Sequence, residues 1–125
     1  MRGTAAVIGG LALWMVIATL GNLVLRNSWP DYASVEKAMT FTPAMLFARL
    51  ALGVLASLGA GLLVAWIAAR GRVALACLIG LLLVLFVPLH YSLWDRFPAW
   101  YHAVFLLSLI GVPLLAAMVP PKRTV

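Results

Sequence analysis

An amide, a guanidinium and two imidazoles interrupt the apolar stretches of this chain: Asn22, Arg49, His90 and His102. An ionisable group within a hydrophobic run is costly and marks a site by default. Two imidazoles across a short hairpin could ligate an iron axially. A zinc ion would need a third and a fourth ligand, and only Asp95 is close in sequence. Both histidines fall near span ends, where hydrogen bonding with Tyr91 and Tyr101 is the plainer role, so neither a metal nor a cofactor is expected. Arg49 could hold an anion or a lipid headgroup through its guanidinium fork. Its bland counterpart is snorkelling to the interface, or a structural pair with Asp95. Acid–base catalysis has one candidate set, Asp95 with His90 and His102. There is no Ser–His–Asp order, carboxylate pair or HExxH motif, so the sequence leans away from an enzyme.

The elements that carry these residues follow from composition. Of 125 residues, 66% are hydrophobic and 10% charged, against roughly 45–50% and about 25% in a soluble domain. So much apolar surface is at home in lipid. Four runs meet the roughly 20 apolar residues that a helix needs to cross a bilayer: residues 4–25, 44–69, 73–91 and 98–119. No alternating pattern competes, so the expected fold is all-α, a single four-helix transmembrane bundle. The first run exceeds the 7–15 residues of a signal-peptide core, and no A-x-A site follows it, so it is read as a retained span. The net charge of +6 comes from nine Lys and Arg against three acids. These basic residues cluster at span ends and form no stripe that could follow phosphates, which excludes a nucleic-acid partner.

Charge also orients the bundle. Arg2, Arg70, Arg72, Lys122 and Arg123 fall on one side without any acid. Arg26, Lys37 and Arg96 fall on the other beside Asp31, Glu36 and Asp95. Excess Lys and Arg marks the cytoplasmic side, which predicts both termini inside and places the polar side chains at the outer face. Spans two and three, joined by Arg70-Gly71-Arg72, are expected to be antiparallel neighbours. The loop from Arg26 to Pro43 is longer; its stretch from Asp31 to Met39 suits a short surface helix, with Trp29 and Tyr32 at the interface.

Between helices in lipid, close approach depends on small residues. Gly53, Ser57, Gly61 and Ala65 recur every four residues on span two, and Ala6, Gly10, Trp14, Ala18 and Asn22 on span one. Both rows read as helix contacts, within the bundle in preference to between copies. Pro88 and Pro113 fall inside spans and Pro98 at a helix start. The single cysteine, Cys77, reads as a small apolar packing residue.

Placed by depth, Asn22, Arg49, His90 and His102 share one layer beneath the outer interface. Tyr91, Trp94, Asp95, Arg96, Trp100 and Tyr101 lie just above it. In this layer Arg49 is expected to point inward, toward Asn22 and the histidines, with Asp95 as its charge partner. Trp94, Trp100 and Tyr101 read as an interfacial belt. The segments WPDY, FTPAMLFARL and PLHYSLWDRFPAWYH resemble a group of small four-span bacterial inner-membrane proteins. The resemblance covers most of the chain and implies four spans and that membrane, but no activity. The small multidrug transporters are similar in size and span count, yet their glutamate in the first span has no counterpart here.

Two functions fit. One is a non-catalytic subunit or scaffold, associating with lipids, with itself or with a larger membrane complex through its small-residue faces, with a polar recognition layer on the periplasmic side. The other is a binding protein or transport component for a lipid headgroup, quinone or small anion, using Arg49, His90 and His102. An open pocket at Arg49 would favour the second, and an Arg49–Asp95 pair the first. For topology, reporter fusions at residue 125 and within residues 26–43 should report opposite sides, the C-terminus inside; an outside C-terminus overturns the charge argument.

Overall fold

The computed structural model describes residues 2–68 and 72–118. Arg70, Gly71, Lys122 and Arg123, used in the topology argument, lie outside the described residues. The helices are α1 (Arg2–Ser28), α2 (Pro30–Val35), α3 (Pro43–Ile67), α4 (Arg72–Ser92) and α5 (Ala99–Ala117), with a 3₁₀ turn at Trp94–Arg96. There is no strand among the described residues. Four of these helices are long and apolar enough to cross a membrane, as in a multi-pass membrane protein. At 1.5 Å per residue the shortest is about 28 Å long, close to the roughly 30 Å hydrocarbon core.

Proline sets the boundaries near the site. Trp29 precedes Pro30 and is extended, at φ −128° and ψ 93°, because a residue before proline is pushed out of the helical region. That breaks the chain between α1 and α2. Pro43 opens α3, and the Thr42 hydroxyl caps it by accepting from the Met45 N–H at 3.4 Å. Pro98 caps α5 in extended geometry. The short helix expected between Asp31 and Met39 is present over Pro30–Val35 only, as α2, and the chain turns from Glu36 to Met39. Its Tyr32, however, is fully buried rather than interfacial.

Helix α1 packs along α3 and α4, and α5 also packs along α3 and α4. Helices α3 and α4 touch at few points and stand diagonally across the bundle. The two are antiparallel and in contact, as expected of spans two and three, but their contact is slight. Contacts explain the arrangement. Gly10 lies against Val64 and the Ala60 carbonyl, and Gly21 against Leu52, so α1 and α3 run antiparallel. Gly53 meets Phe105 and Gly61 meets Pro113, so α3 and α5 run parallel. A short turn ties only the ends of two helices. Van der Waals contact along their length decides which become neighbours, and the bare surface at Gly61 lets the α5 backbone close in.

Trp14 centres the core. It is 3% exposed, and its indole N–H donates to the Ser57 hydroxyl at 2.9 Å. Its ring lies 4.7 Å from that of Phe86, which in turn is 5.4 Å from Phe105. Ser57 therefore serves as an acceptor as well as a small residue, which lets an indole be buried without an orphaned donor. Gly10, Gly53, Ser57 and Gly61 are all buried inside the bundle, while Ala65 is half-buried. Cys77 is exposed on the outside of α4 and takes no part in the core, contrary to its expected packing role.

A Cβ at position 61 would sit 2.8 Å from Pro113 Cα and 3.0 Å from both Pro113 O and Ala116 Cβ. Backbone cannot give way as a side-chain tip can. Gly61→Leu should lower thermal stability in detergent by the equivalent of about 1–3 kcal/mol. Gly111→Leu, at a position whose Cβ would meet nothing within 4 Å, should be nearly neutral. Equal effects from the two would exclude the close α3–α5 approach.

Candidate functional site

The site grows from Arg49, on the second turn of α3. A guanidinium at this depth needs acceptors, and the fold supplies them from both flanks. Arg49 Nη1–H donates to the Tyr32 hydroxyl at 2.8 Å, and Nε–H to the Tyr101 hydroxyl at 3.3 Å. Tyr32 then donates to Asn22 Oδ1 at 2.5 Å. The Phe41 ring lies 4.7 Å from Arg49 Cζ, within cation–π range. Tyr32 reaches this position because the Pro30 break folds α2 back over the end of the bundle.

Arg49 thus points inward as expected, but its partners are two tyrosines. Asp95 is exposed in the 3₁₀ turn and makes no ion pair with it. Among the described residues the only ion pair is Arg26–Glu36. The expected Arg49–Asp95 pair is therefore absent; the turn holds Asp95 outside, while Tyr32 and Tyr101 fill the space around the guanidinium. Arg96, next to Asp95 in the turn, donates to the Ala38 carbonyl at 3.3 Å.

His90 and His102 do come together, with Nδ1 atoms 2.7 Å apart. His102 Nε2 lies 3.3 Å from the Trp94 carbonyl. A carbonyl can only accept, so His102 carries its proton on Nε2. Trp94 stacks on His102 at 4.7 Å and 13°, fixing the ring. The two Nδ1 atoms are engaged with each other. Among the described residues no three His, Cys, Asp or Glu side chains gather as a metal site. The expected partners differ as well. Tyr91 is 83% exposed, and Tyr101 serves Arg49. Tyr101 is 2% exposed and leaves the interfacial belt, while Trp94 and Trp100 stay on the surface.

Beside Arg49 is a cavity of about 350 Å³, within the range of small-molecule sites. Arg49, Asn22 and Tyr101 give it a polar end, and Trp14, Phe86 and Phe105 an aromatic wall. Gly53, packed against Phe105, also borders it. Thr19, Leu23 and Arg26 of α1 form an exposed rim. At that rim Arg26 grips Glu36 in a bidentate pair, with Nη2–Oε1 at 2.5 Å and Nε–Oε2 at 3.0 Å. The guanidinium's hydrogen bonds hold the Glu36 carboxyl below the usual carboxylate range. This pair ties the segment after α2 to the end of α1.

Sequence reasoning missed Tyr32, the aromatic wall and the Arg26–Glu36 pair. One signal for Tyr32 was available. A span arginine needs an acceptor, and the loop from Arg26 to Pro43 holds the polar groups nearest to it in sequence. No protein-family model, curated protein or solved structure matches this chain.

Tyr32 both accepts from Arg49 and donates to Asn22, so Tyr32→Phe should leave two half-buried groups short of a partner. The expected loss of thermal stability corresponds to about 1–3 kcal/mol. Once Arg49→Met has removed the charge, the same substitution should cost much less. Additive losses would mean that Arg49 and Tyr32 do not act together.

Proposed function

We propose that this protein is a non-catalytic binding protein of a bacterial inner membrane that holds an amphipathic anion in the cavity beside Arg49. The observation that carries this reading is the state of that guanidinium. It spends two of its five N–H groups on tyrosine hydroxyls and has no carboxylate partner among the described residues. It borders a cavity whose opposite wall is aromatic. Such a site matches a phosphate or carboxylate joined to an apolar body: the anion completes the fork, and the body displaces no polar contact from Trp14, Phe86 or Phe105.

The rim supports arrival through the lipid. Thr19, Leu23 and Arg26 are all exposed along α1, over about 10 Å of helix rise. The mouth thus extends from the interfacial end of α1 down its apolar flank. Charge bias supports a periplasmic position for that end, and with it a ligand from the outer leaflet. The histidine pair braces the α4–α5 hairpin behind Tyr101 and stands outside the cavity lining. A scaffold function draws less support. Gly10, Gly53 and Gly61, the faces it would use, are spent on contacts within the bundle.

The test uses purified protein in a neutral detergent with three single-chain amphiphiles: oleate, oleoyl-lysophosphatidylglycerol and uncharged mono-olein. One or both anions should raise the melting temperature and mono-olein should not, since a ligand that binds only the folded state stabilises it. Arg49→Gln should weaken anion binding by about tenfold or more, the worth of a charge-assisted hydrogen bond. Arg49→Lys should recover part of it. An equal response to mono-olein, or undiminished anion binding in Arg49→Gln, would overturn the proposal.

A further inference from the structure

A second, larger cavity of about 810 Å³ lies at the opposite end of the bundle, between α3, α4 and α5. Its origin is in the packing. Helices α4 and α5 are joined at the α2 end by the short turn and the histidine pair, while α3 and α4 stand diagonally. Toward the first turns of α4 the three helices leave a cleft. Ile79 and Leu83 line one side, Leu114 and Met118 the other. A Cβ on Gly80, which also lines it, would meet nothing within 4 Å.

The lining is apolar except for one charge, Arg72. Protein interiors leave few voids larger than a water molecule, and an apolar void does not hold water. In a bilayer the filler at hand is hydrocarbon. From Arg72 to Leu83 the cleft follows about 16 Å of helix rise, close to half of the roughly 30 Å hydrocarbon core. It therefore matches one leaflet in depth, with its single cation at the headgroup level. The three acids of the chain, Asp31, Glu36 and Asp95, are in the loop and turn at the other end of the bundle. Among the described residues Arg72 thus has no carboxylate within reach.

We propose that this cleft is a phospholipid site: an acyl chain lies along α4 from Ile79 to Leu83, and the phosphate of an anionic headgroup pairs with Arg72. Charge complementarity and depth select this occupant. The site is separate from the cavity at Arg49, and its lipid comes from the other leaflet.

Native mass spectrometry of the full chain in mild detergent tests it, with dioleoylphosphatidylglycerol and dioleoylphosphatidylcholine as probes. The unsubstituted protein should retain phosphatidylglycerol about fivefold more strongly than phosphatidylcholine, the worth of one basic residue near an anionic headgroup. Arg72→Gln should remove that preference while leaving a lipid bound. Gly80→Phe should fill the cleft and lower by one the count of retained lipids of both kinds. If Gly80→Phe does not fold, Gly80→Leu serves, and the headgroup preference lost in Arg72→Gln remains an independent readout. Equal retention of the two lipids by the unsubstituted protein would overturn the proposal. So would a gain in lipid binding on truncation after Met118, which would make residues 119–125 the occupant. A dimer that Gly80→Phe converts to monomer would overturn it too, in favour of a second copy of the chain.

Discussion

The α2 end of this bundle is organised by a half-buried guanidinium that forms no ion pair among the described residues. Arg49 lies on the second turn of an apolar helix, where leaving its N–H groups unpaired would cost several kcal/mol. Its needs are met by hydroxyls from two distant places, Tyr32 on α2 and Tyr101 on α5. This makes α2 part of the core: Tyr32 is fully buried, and Asn22 of α1 is drawn in as its acceptor. The result is a chain of side chains from α1 through α2 to α3 and α5. A carboxylate would have neutralised the charge. Hydroxyls satisfy the geometry and leave the charge in place, which is why the cavity beside Arg49 suits an anion.

Packing in the rest of the molecule follows a second constraint. Lipid tails are as apolar as the helices, so burial itself gives little reason for one helix to prefer another. Close backbone approach does. Gly61 brings α5 against α3, and Gly10 brings α1 against α3. Helix α4 is left with contacts to α1 and α5 and with few to α3. The cleft at Arg72 is the consequence of that arrangement. The two cavities thus differ: one joins an aromatic wall to a polar end at Arg49, and the other follows from incomplete helix contact.

The histidines illustrate how residue type alone misleads. Two imidazoles at a hairpin suggest a metal. Here they are hydrogen-bonded to each other, with the Trp94 carbonyl fixing the proton and its ring stacked on His102. They hold α4 to α5 and place Tyr101 where it can serve Arg49. Their contribution to the cavity is one of position.

Periodicity and composition alone determined the four apolar helices, the inward-facing row Gly53, Ser57 and Gly61, and the common depth of Asn22, Arg49, His90 and His102. These are legible because a bilayer fixes helix length and a helix fixes which residues share a face. The short helix after Pro30 was also legible, since proline acts locally on its own neighbours. Tertiary structure decided everything that depends on which faces meet. It seated α5 beside α3, put α4 on the diagonal, and gave Arg49 two tyrosines in place of Asp95. It turned Tyr32 and Tyr101 inward although both read as interfacial, and it left Cys77 outside. The physical reason is that helix neighbours in lipid are chosen by shape complementarity along their whole length. Reach of a side chain from a loop such as Arg26 to Pro43 depends on the path of that loop. Neither quantity is a property of local sequence.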